Sequence, residues 1–436
     1  VIRAGGLWTK DKQQLLKLKR YPNPEWLSWN IIKDRLPYRM PEPGKYLQVW
    51  KSHQGWTVFP KWWSDAPAQD RTVAPAGQQH AFQWQLRPYQ EQAKQAWLQT
   101  RQGVIQAPCG AGKTVIGASI IADTQTPALV LVHTRDLLRQ WQERLQEALH
   151  EPQIGMIGGG KDQRHQPIVI ATLQTLAKWP FQELLEYGRT KGLVVVDECH
   201  HIPASTFSEV IMGLNGRYRL GLTATPERLD GLTGLLHDHL GPMVHQIDPE
   251  QLEGIGATLK PQIRFLQTDW APPMHSEPHE RKRLIADDAG RNAQILDLVE
   301  DQHEQGRLTL VLCDLKQHCH DLAEEAQLRD LPAAAITGKN TAKQRAALFA
   351  ALRDRQITAL FCTSLADEGL DLPELETVIL ATPCRNVAKV EQRIGRALRP
   401  SAGKADPLVV DLVDQFGPYK AYARKRATMY RNRGWL

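Results

Sequence analysis

From Leu86 onward the chain alternates short apolar runs with amphipathic stretches. Gly103–Ala107, Ala128–Val132, Ile168–Ala171, Leu193–Val196 and Arg219–Leu222 are short, largely apolar runs of four or five residues, the texture of buried strands. The intervening stretches have helical spacing. Asp136–Leu149, for example, lines up Leu137, Leu138, Trp141 and Leu145. The pattern fades over 250–285, where Pro261, Pro272, Pro273 and Pro278 fall. It restarts with strands at Leu308–Leu312, Ala333–Ile336, Ala359–Cys362, Val378–Leu380 and Leu408–Val413. Helices are predicted between them at Arg283–His303, Leu315–Leu328, Thr341–Arg353 and Val387–Leu398. The expected fold class is therefore α/β, with two tandem parallel-sheet domains at 86–250 and 281–414 joined by a linker at 251–280.

The first 85 residues read differently. Asp11–Lys19 suits a short helix, and Pro22, Pro24, Pro37, Pro41 and Pro43 then impose turns. KYLQVWK (45–51) and GWTVF (55–59) alternate around a Ser52–Gly55 turn, which predicts a hairpin. Residues 64–81 are rich in Pro, Ala and Gln without an apolar period and read as a linker. The unit 1–85 is thus a small accessory domain with its connection.

Composition sharpens these boundaries. At 436 residues the chain exceeds what one core organises. Its net charge of +6 is uneven: 1–85 carries +7, 415–436 carries +6 with no acidic residue, and the middle is −7. Two basic ends on an acidic body point to a polyanion partner, or to solvated charged surfaces; 415–436 is expected to be a basic tail. Nine of the 13 tryptophans lie in the first 97 residues. No run of apolar residues is long enough to span a membrane, and the start lacks a secretory h-region. Six cysteines without a CxxC pair fit a reducing, cytoplasmic setting.

The first string that carries chemistry is APCGAGKT (107–114), between an apolar strand and a predicted helix. Gly110 and Gly112, with Pro108, Cys109 and Ala111 around them, form a loop able to turn successive N–H groups toward phosphate oxygens. The helix N-terminus adds its positive end. Lys113 can reach the outer phosphates of ATP, and the Thr114 hydroxyl can ligate Mg²⁺. A chance match in an ordinary loop is the competing reading, and the flanking strand and helix weigh against it. The second string, LVVVDECHH (193–201), runs a buried strand into two carboxylates. Asp197 suits a Mg²⁺ ligand, and Glu198 can orient or deprotonate a water. His200 suits a relay between the nucleotide and the second domain. Cys199, His200 and His201 lack a second ligand pair for zinc.

In order and spacing, APCGAGKT, DECH (197–200), LTATP (222–226) and QRIGRALR (392–399) resemble the superfamily 2 helicases, and the resemblance covers 86–414. It implies two RecA-like domains using ATP and Mg²⁺. It also implies roles. Gln90 in QLRPYQ (85–90) would read the adenine with Arg87 against it, and Gly369 and Asp371 in FCTSLADEGLDLP (361–373) would touch the nucleotide. Gln392, Arg396 and Arg399 would face the nucleotide from the second domain. Thr223 and Thr225 would pass the nucleotide state onward. Arg396 and Arg399 are three apart and so share a helix face. A cation on the γ-phosphate is worth roughly 10³–10⁵ in rate. The DECH letters, RYRLGLTATPERLDG (217–231) and ADEGLDLP (366–373) resemble the DNA-translocase branch that includes XPB and UvsW, and a phage or mobile-element setting is consistent with that branch.

A nucleic-acid track needs hydrogen-bond donors for phosphates. Thr134 and Arg135 in VLVHTRDLLRQW, Thr172 and Gln174 in IVIATLQTL, and Thr363 follow predicted strand ends. Lys61, Trp62 and Trp63 could stack on bases at about 1–3 kcal/mol each, while the competing reading is that tryptophans build the core of a small domain. The expected activity is that of an ATP-dependent DNA helicase or translocase, acting as a monomer on single-stranded, duplex or branched DNA. A nucleotide-dependent binding switch and an RNA helicase are the alternatives.

Overall fold

The computed structural model describes residues 2–3, 7–9, 51–54, 56–59, 61, 69–77, 80–108, 110–201, 204–224, 233–273, 276–363, 372–397, 399–401, 403–404 and 406–436. The chain divides into two compact units, Val1–Pro108 with Gly112–Ile247, and Cys109–Ala111 with Asp248–Leu436.

The first unit is built on an eight-stranded sheet. Its order is Met243–Gln246, Gln102–Gln106, Tyr218–Thr223, Leu193–Asp197, Ala128–Val132, Ile168–Thr172, Ile154–Gly158 and Lys161–Asp162. All neighbours are parallel except the last two, which form a hairpin. Ala128–Val132, Ile168–Thr172 and Leu193–Asp197 are buried at every position. That is why they read as unbroken apolar runs: helices cover both faces of a parallel sheet. Leu129, Val169 and Val194 pack with Phe207, Ile211 and Leu236 in one core. Three strands of this sheet escaped the sequence reading, the two-residue Lys161–Asp162 among them. Ile154–Gly158 is interrupted by Gly155 and ends on Gly158, and Met243–Gln246 lies at the sheet's edge with half-buried side chains.

The leader needs correction. The expected hairpin is present as Lys51–His53 against Trp56–Phe59, with Gln54 at φ 46° in the turn. It belongs to a five-stranded sheet with Leu7–Thr9, Ile2–Arg3 and Gln69–Asp70. The helix expected at Asp11–Lys19 lies outside the described residues. The stretch read as a linker is pinned along much of its described length. Gln69–Asp70 pairs with Ile2–Arg3, and the Val73 amide donates to Asn215 O at 3.0 Å. Asn215 Nδ2 donates to Arg71 O, and the Thr126 hydroxyl donates to Pro75 O. A Pro- and Gln-rich composition argues against helix and strand, but it does not prevent a chain from pairing its backbone groups with a neighbour.

The second unit holds a six-stranded, all-parallel sheet. Its order is Gln262–Gln267, Leu408–Val413, Thr377–Leu380, Thr309–Leu312, Ala359–Cys362 and Ala333–Ile336. Two expectations fail here. The supposed linker 251–280 supplies the edge strand Gln262–Gln267, whose alternating exposure hid it among the prolines. The helix expected over Arg283–His303 is two, Pro278–Ala286 and Ala289–Glu304, because the Asp288 side chain accepts from the Arg291 amide at 2.8 Å and caps a new start.

The basic tail is also not a tail. It is the helix Gly417–Asn432, docked through Ala423, Arg426, Met429 and Tyr430. Arg426, 1% exposed, holds fully buried Asp411 in a fork at 2.8 and 2.6 Å, and the Tyr430 hydroxyl donates to the same carboxylate at 2.9 Å. Removing one member of a buried pair leaves an uncompensated charge, at a cost of roughly 3–5 kcal/mol. Asp411→Ala should therefore lower the stability of the second unit by about that amount in urea unfolding. A loss below about 1 kcal/mol would mean that carbonyls alone satisfy Arg426.

Candidate active site

Gln106, Thr223, Asp197, Val132 and Thr172 are the last residues of five adjacent strands in the first sheet. Strings far apart in sequence therefore meet along one carboxyl edge, where open parallel sheets form their ligand sites.

The loop 107–112 leaves strand Gln102–Gln106 and enters helix Lys113–Thr124. The Ala107 amide donates to Thr223 O at 2.8 Å, which fixes the loop's start to the neighbouring strand end. Gly110 and Gly112 have φ of 86° and 78°, a region costly for any side chain. A Cβ on Gly112 would also lie 2.5 Å from Gln90 Nε2. The glycine thus lets the Gln90 amide pack on the loop. Gln90 is 5% exposed, and its Oε1 accepts from the Arg87 amide at 3.0 Å, while Arg87 itself is exposed. Pro108 and Thr114 are half-buried, Ala111 is buried, and Cys109 lies outside the described residues.

Lys113 Nζ lies 3.0 Å from Glu198 Oε1 and 3.4 Å from Ala107 O. Asp197, 4% exposed, accepts from Trp141 Nε1 at 2.8 Å and from the Glu198 amide at 3.0 Å. Burial, and then the charge of Glu198, push the Asp197 carboxyl up to about 6, against the pull of Lys113 and Trp141. Glu198 sits at φ 45°, in the left-handed region, which costs a non-glycine residue about 1–2 kcal/mol. Its Oε2 is 3.5 Å from His200 Nδ1, and that nitrogen is 2.7 Å from the Thr223 hydroxyl. Lys113, Glu198, His200 and Thr223 thus form one continuous set of polar contacts. Cys199 is packed in the apolar core. Thr225 lies outside the described residues.

The candidate nucleic-acid residues of this unit share the same edge. Strands Ala128–Val132 and Ile168–Thr172 pair in register, Val132 opposite Thr172. Exposed Gln174 donates from Nε2 to His133 O at 2.8 Å, tying the two following segments together. The Thr134 hydroxyl caps helix Arg135–Ala148 by accepting from Leu137 N at 3.2 Å, while Arg135 is exposed. Thr172 is buried, with its hydroxyl 2.7 Å from that of Thr175. Lys61 departs from expectation. It is 1% exposed, and its Nζ donates to Gly216 O at 3.4 Å and Arg217 O at 3.2 Å. It serves as a buried stitch rather than an exposed contact. Trp62 and Trp63 lie outside the described residues.

In the second unit, Thr363 is buried at the end of strand Ala359–Cys362. Gly369 and Asp371 lie outside the described residues. Helix Val387–Ala397 carries Gln392 and Arg396, whose side chains are likewise outside the description, and Arg399 follows, half-buried. Lys404 Nζ donates to Arg399 O and Pro373 O, both at 2.7 Å, joining the two segments that hold these candidates. Arg433, just beyond the C-terminal helix, pairs with Glu391, beside Gln392. The sequence reading missed both Lys404 and the Arg433–Glu391 pair, since neither belongs to a recognisable string.

Trp141 was also missed as a site residue, because its place on an apolar helix face explained it fully. Its ring reaches Asp197 because residue 117 is glycine: a Cβ there would lie 2.6 Å from the indole. Trp141→Phe keeps the ring's packing and deletes the hydrogen bond to a buried carboxylate. It should cost about 1–3 kcal/mol in thermal unfolding and slow steady-state ATP hydrolysis. Unchanged melting and turnover would reduce Trp141 to packing. Gly117→Ala should act in the same direction, by displacing the indole.

Comparisons with known proteins identify the family. The family model described as "Type III restriction enzyme, res subunit" matches residues 83–228, and "Helicase conserved C-terminal domain" matches 290–401. A DNA 3'-5' helicase XPB of Kineococcus radiotolerans is 31% identical over 387 residues, covering 85% of this chain and 68% of that protein. Its counterpart in Mycobacterium tuberculosis is 29% identical, covering 85% and 69%. Among solved structures, Saccharomyces cerevisiae Dbp5 bound to RNA and ADP BeF3 has the same fold, with a TM-score of 0.59 at 15% identity over 80% of this chain and 88% of that one. The motif strings, the shared sheet edge and this similarity converge: the chain belongs to the XPB family of superfamily 2 DNA helicases, and it is an ATP-dependent helicase or translocase of that type.

Proposed function

We propose that this chain moves along DNA in the 3'-to-5' direction, driven by ATP hydrolysis at the Lys113–Glu198 site. The observation that carries the reading is the contact series Lys113–Glu198–His200–Thr223, which runs from the phosphate loop to the neighbouring strand end. Direction and substrate follow the XPB relatives, which are DNA 3'-5' helicases.

The residues present fit ATP with Mg²⁺. Two glycines at positive φ open the loop, a helix N-terminus follows it, and the adjacent carboxylates Asp197 and Glu198 have Lys113 at hand. Gln90 and Arg87 are assigned to the base, residues 108–114 to the phosphates, and Thr114 with Asp197 to Mg²⁺. When bound, ATP supplies the phosphoryl group whose transfer to water releases the driving energy. Lys113 now neutralises Glu198. Phosphates that draw Lys113 away leave Glu198 free to take a proton from water at its carboxylate oxygen. That change passes through His200 to Thr223. Arg396 and Arg399, with Gln392, Gly369 and Asp371, are assigned to the nucleotide from the second unit. Thr134, Arg135, Thr172, Gln174 and Thr363 are assigned to the DNA backbone. A monomer, acting in the cytoplasm, completes the reading.

Three outcomes are expected. DNA should stimulate steady-state ATPase severalfold while RNA of the same length does not, and equal rates with and without DNA would remove the translocase reading. Duplexes with 3' tails should be opened or stripped of streptavidin in preference to 5'-tailed ones, and the opposite preference would overturn the direction. Lys113→Ala and Glu198→Gln should each abolish turnover, but only Glu198→Gln should still retain ATP in a binding assay. Full turnover by Glu198→Gln would reassign the base.

A further inference from the structure

The helix Gly417–Asn432 has two unlike faces. Inward, Ala423, Arg426, Met429 and Tyr430 are buried, and Arg426 is matched to Asp411. Just beyond the helix, Arg433 is matched to Glu391. Outward, Arg424, Lys425, Thr428 and Arg431 are exposed at spacings of three and four, one side of a helix.

The outward cations differ from several other exposed helix cations in the molecule. Three exposed helix arginines elsewhere have a carboxylate one turn away: Arg139 with Asp136 at 2.6 Å, Arg144 with Glu147 at 3.0 Å, and Arg283 with Asp287 at 3.5 Å. Residues 415–436 contain no acid at all. Among the described residues no ion pair forms with Arg424, Lys425 or Arg431, although the same helix sends Arg426 to a carboxylate. From Arg424 to Arg431 the helix rises about 10 Å. About three phosphates of one DNA strand occupy that length.

We propose that Arg424, Lys425 and Arg431 on the outer face of the C-terminal helix grip the DNA phosphate backbone. The proposal rests on the DNA-translocase reading above. The grip is placed close to the arginine-bearing helix Val387–Ala397, because Arg433 and Arg426 tie the inner side of this segment to Glu391 and to Cys384 O.

The test is the salt dependence of DNA binding by the full chain, followed by anisotropy of a fluorescein-labelled, 3'-tailed duplex. Each phosphate contact contributes about 0.9 to the slope of log affinity against log salt. Replacing Arg424, Lys425 and Arg431 together with Gln should make the slope shallower by about 2–3. Affinity at 0.1 M salt should fall at least tenfold, while basal ATPase and melting temperature stay at wild-type values. Arg283→Gln, an exposed change with its own carboxylate partner, should leave the slope unaltered. A triple variant with the wild-type slope would overturn the proposal while leaving the translocase reading intact. An equal loss in Arg283→Gln would overturn it in favour of a diffuse charge effect. A wild-type chain without salt-dependent DNA binding would remove both.

Discussion

The Lys113–Glu198 ion pair is the interaction around which the first unit's site is arranged. Asp197 and Glu198 are adjacent carboxylates at a buried strand end, and two like charges in such a place oppose each other's ionisation. Trp141 and the Glu198 amide stabilise Asp197, Lys113 stabilises Glu198, and Asp197 is still pushed up to about 6. A phosphate competing for Lys113 would change the charge felt by both carboxylates. His200 and Thr223 are in direct contact with that change.

A second theme is the use of buried cations as stitches. Lys61 donates to Gly216 O and Arg217 O, and Lys191 to Gln166 O and Pro167 O. Arg219 donates to His239 O, Ile211 O and Leu214 O, and burial lowers its guanidinium to about 9. Each of them holds a neighbouring segment through carbonyl acceptors, and Lys61 also lies within electrostatic reach of Asp70. The charge arithmetic therefore overstated the basic surface. Part of the excess lies inside, and the exposed part that stands out is the outer face of the last helix.

The parallel sheets were legible because burial on both faces erases alternation, so Ala128–Val132 and Leu193–Asp197 announce themselves as runs of apolar residues. The edge strands Met243–Gln246 and Gln262–Gln267 were not, since an edge keeps exposed polar positions that read as loop. Residues 64–81 read as a linker for a related reason. Their hydrogen bonds to Asn215 and Thr126 use backbone groups, and composition says nothing about backbone pairing. In the site, the phosphate loop and the DECH string were legible because glycine, lysine and adjacent carboxylates at strand ends have few other uses. Trp141 and Lys404 were not, because each has an ordinary explanation in its local sequence.

The sequence by itself determined the two α/β units, the phosphate loop and its acidic partner, and the family they mark. These are properties of local spacing and residue chemistry. Only the tertiary structure decided which residues support them. It brought Trp141 to Asp197 through the space left by Gly117, turned Lys61 inward, and made a docked helix of the basic tail. The reason is that a hydrogen bond or an ion pair depends on distance in space. Between strands that are neighbours in a sheet but tens of residues apart in the chain, only folding sets that distance.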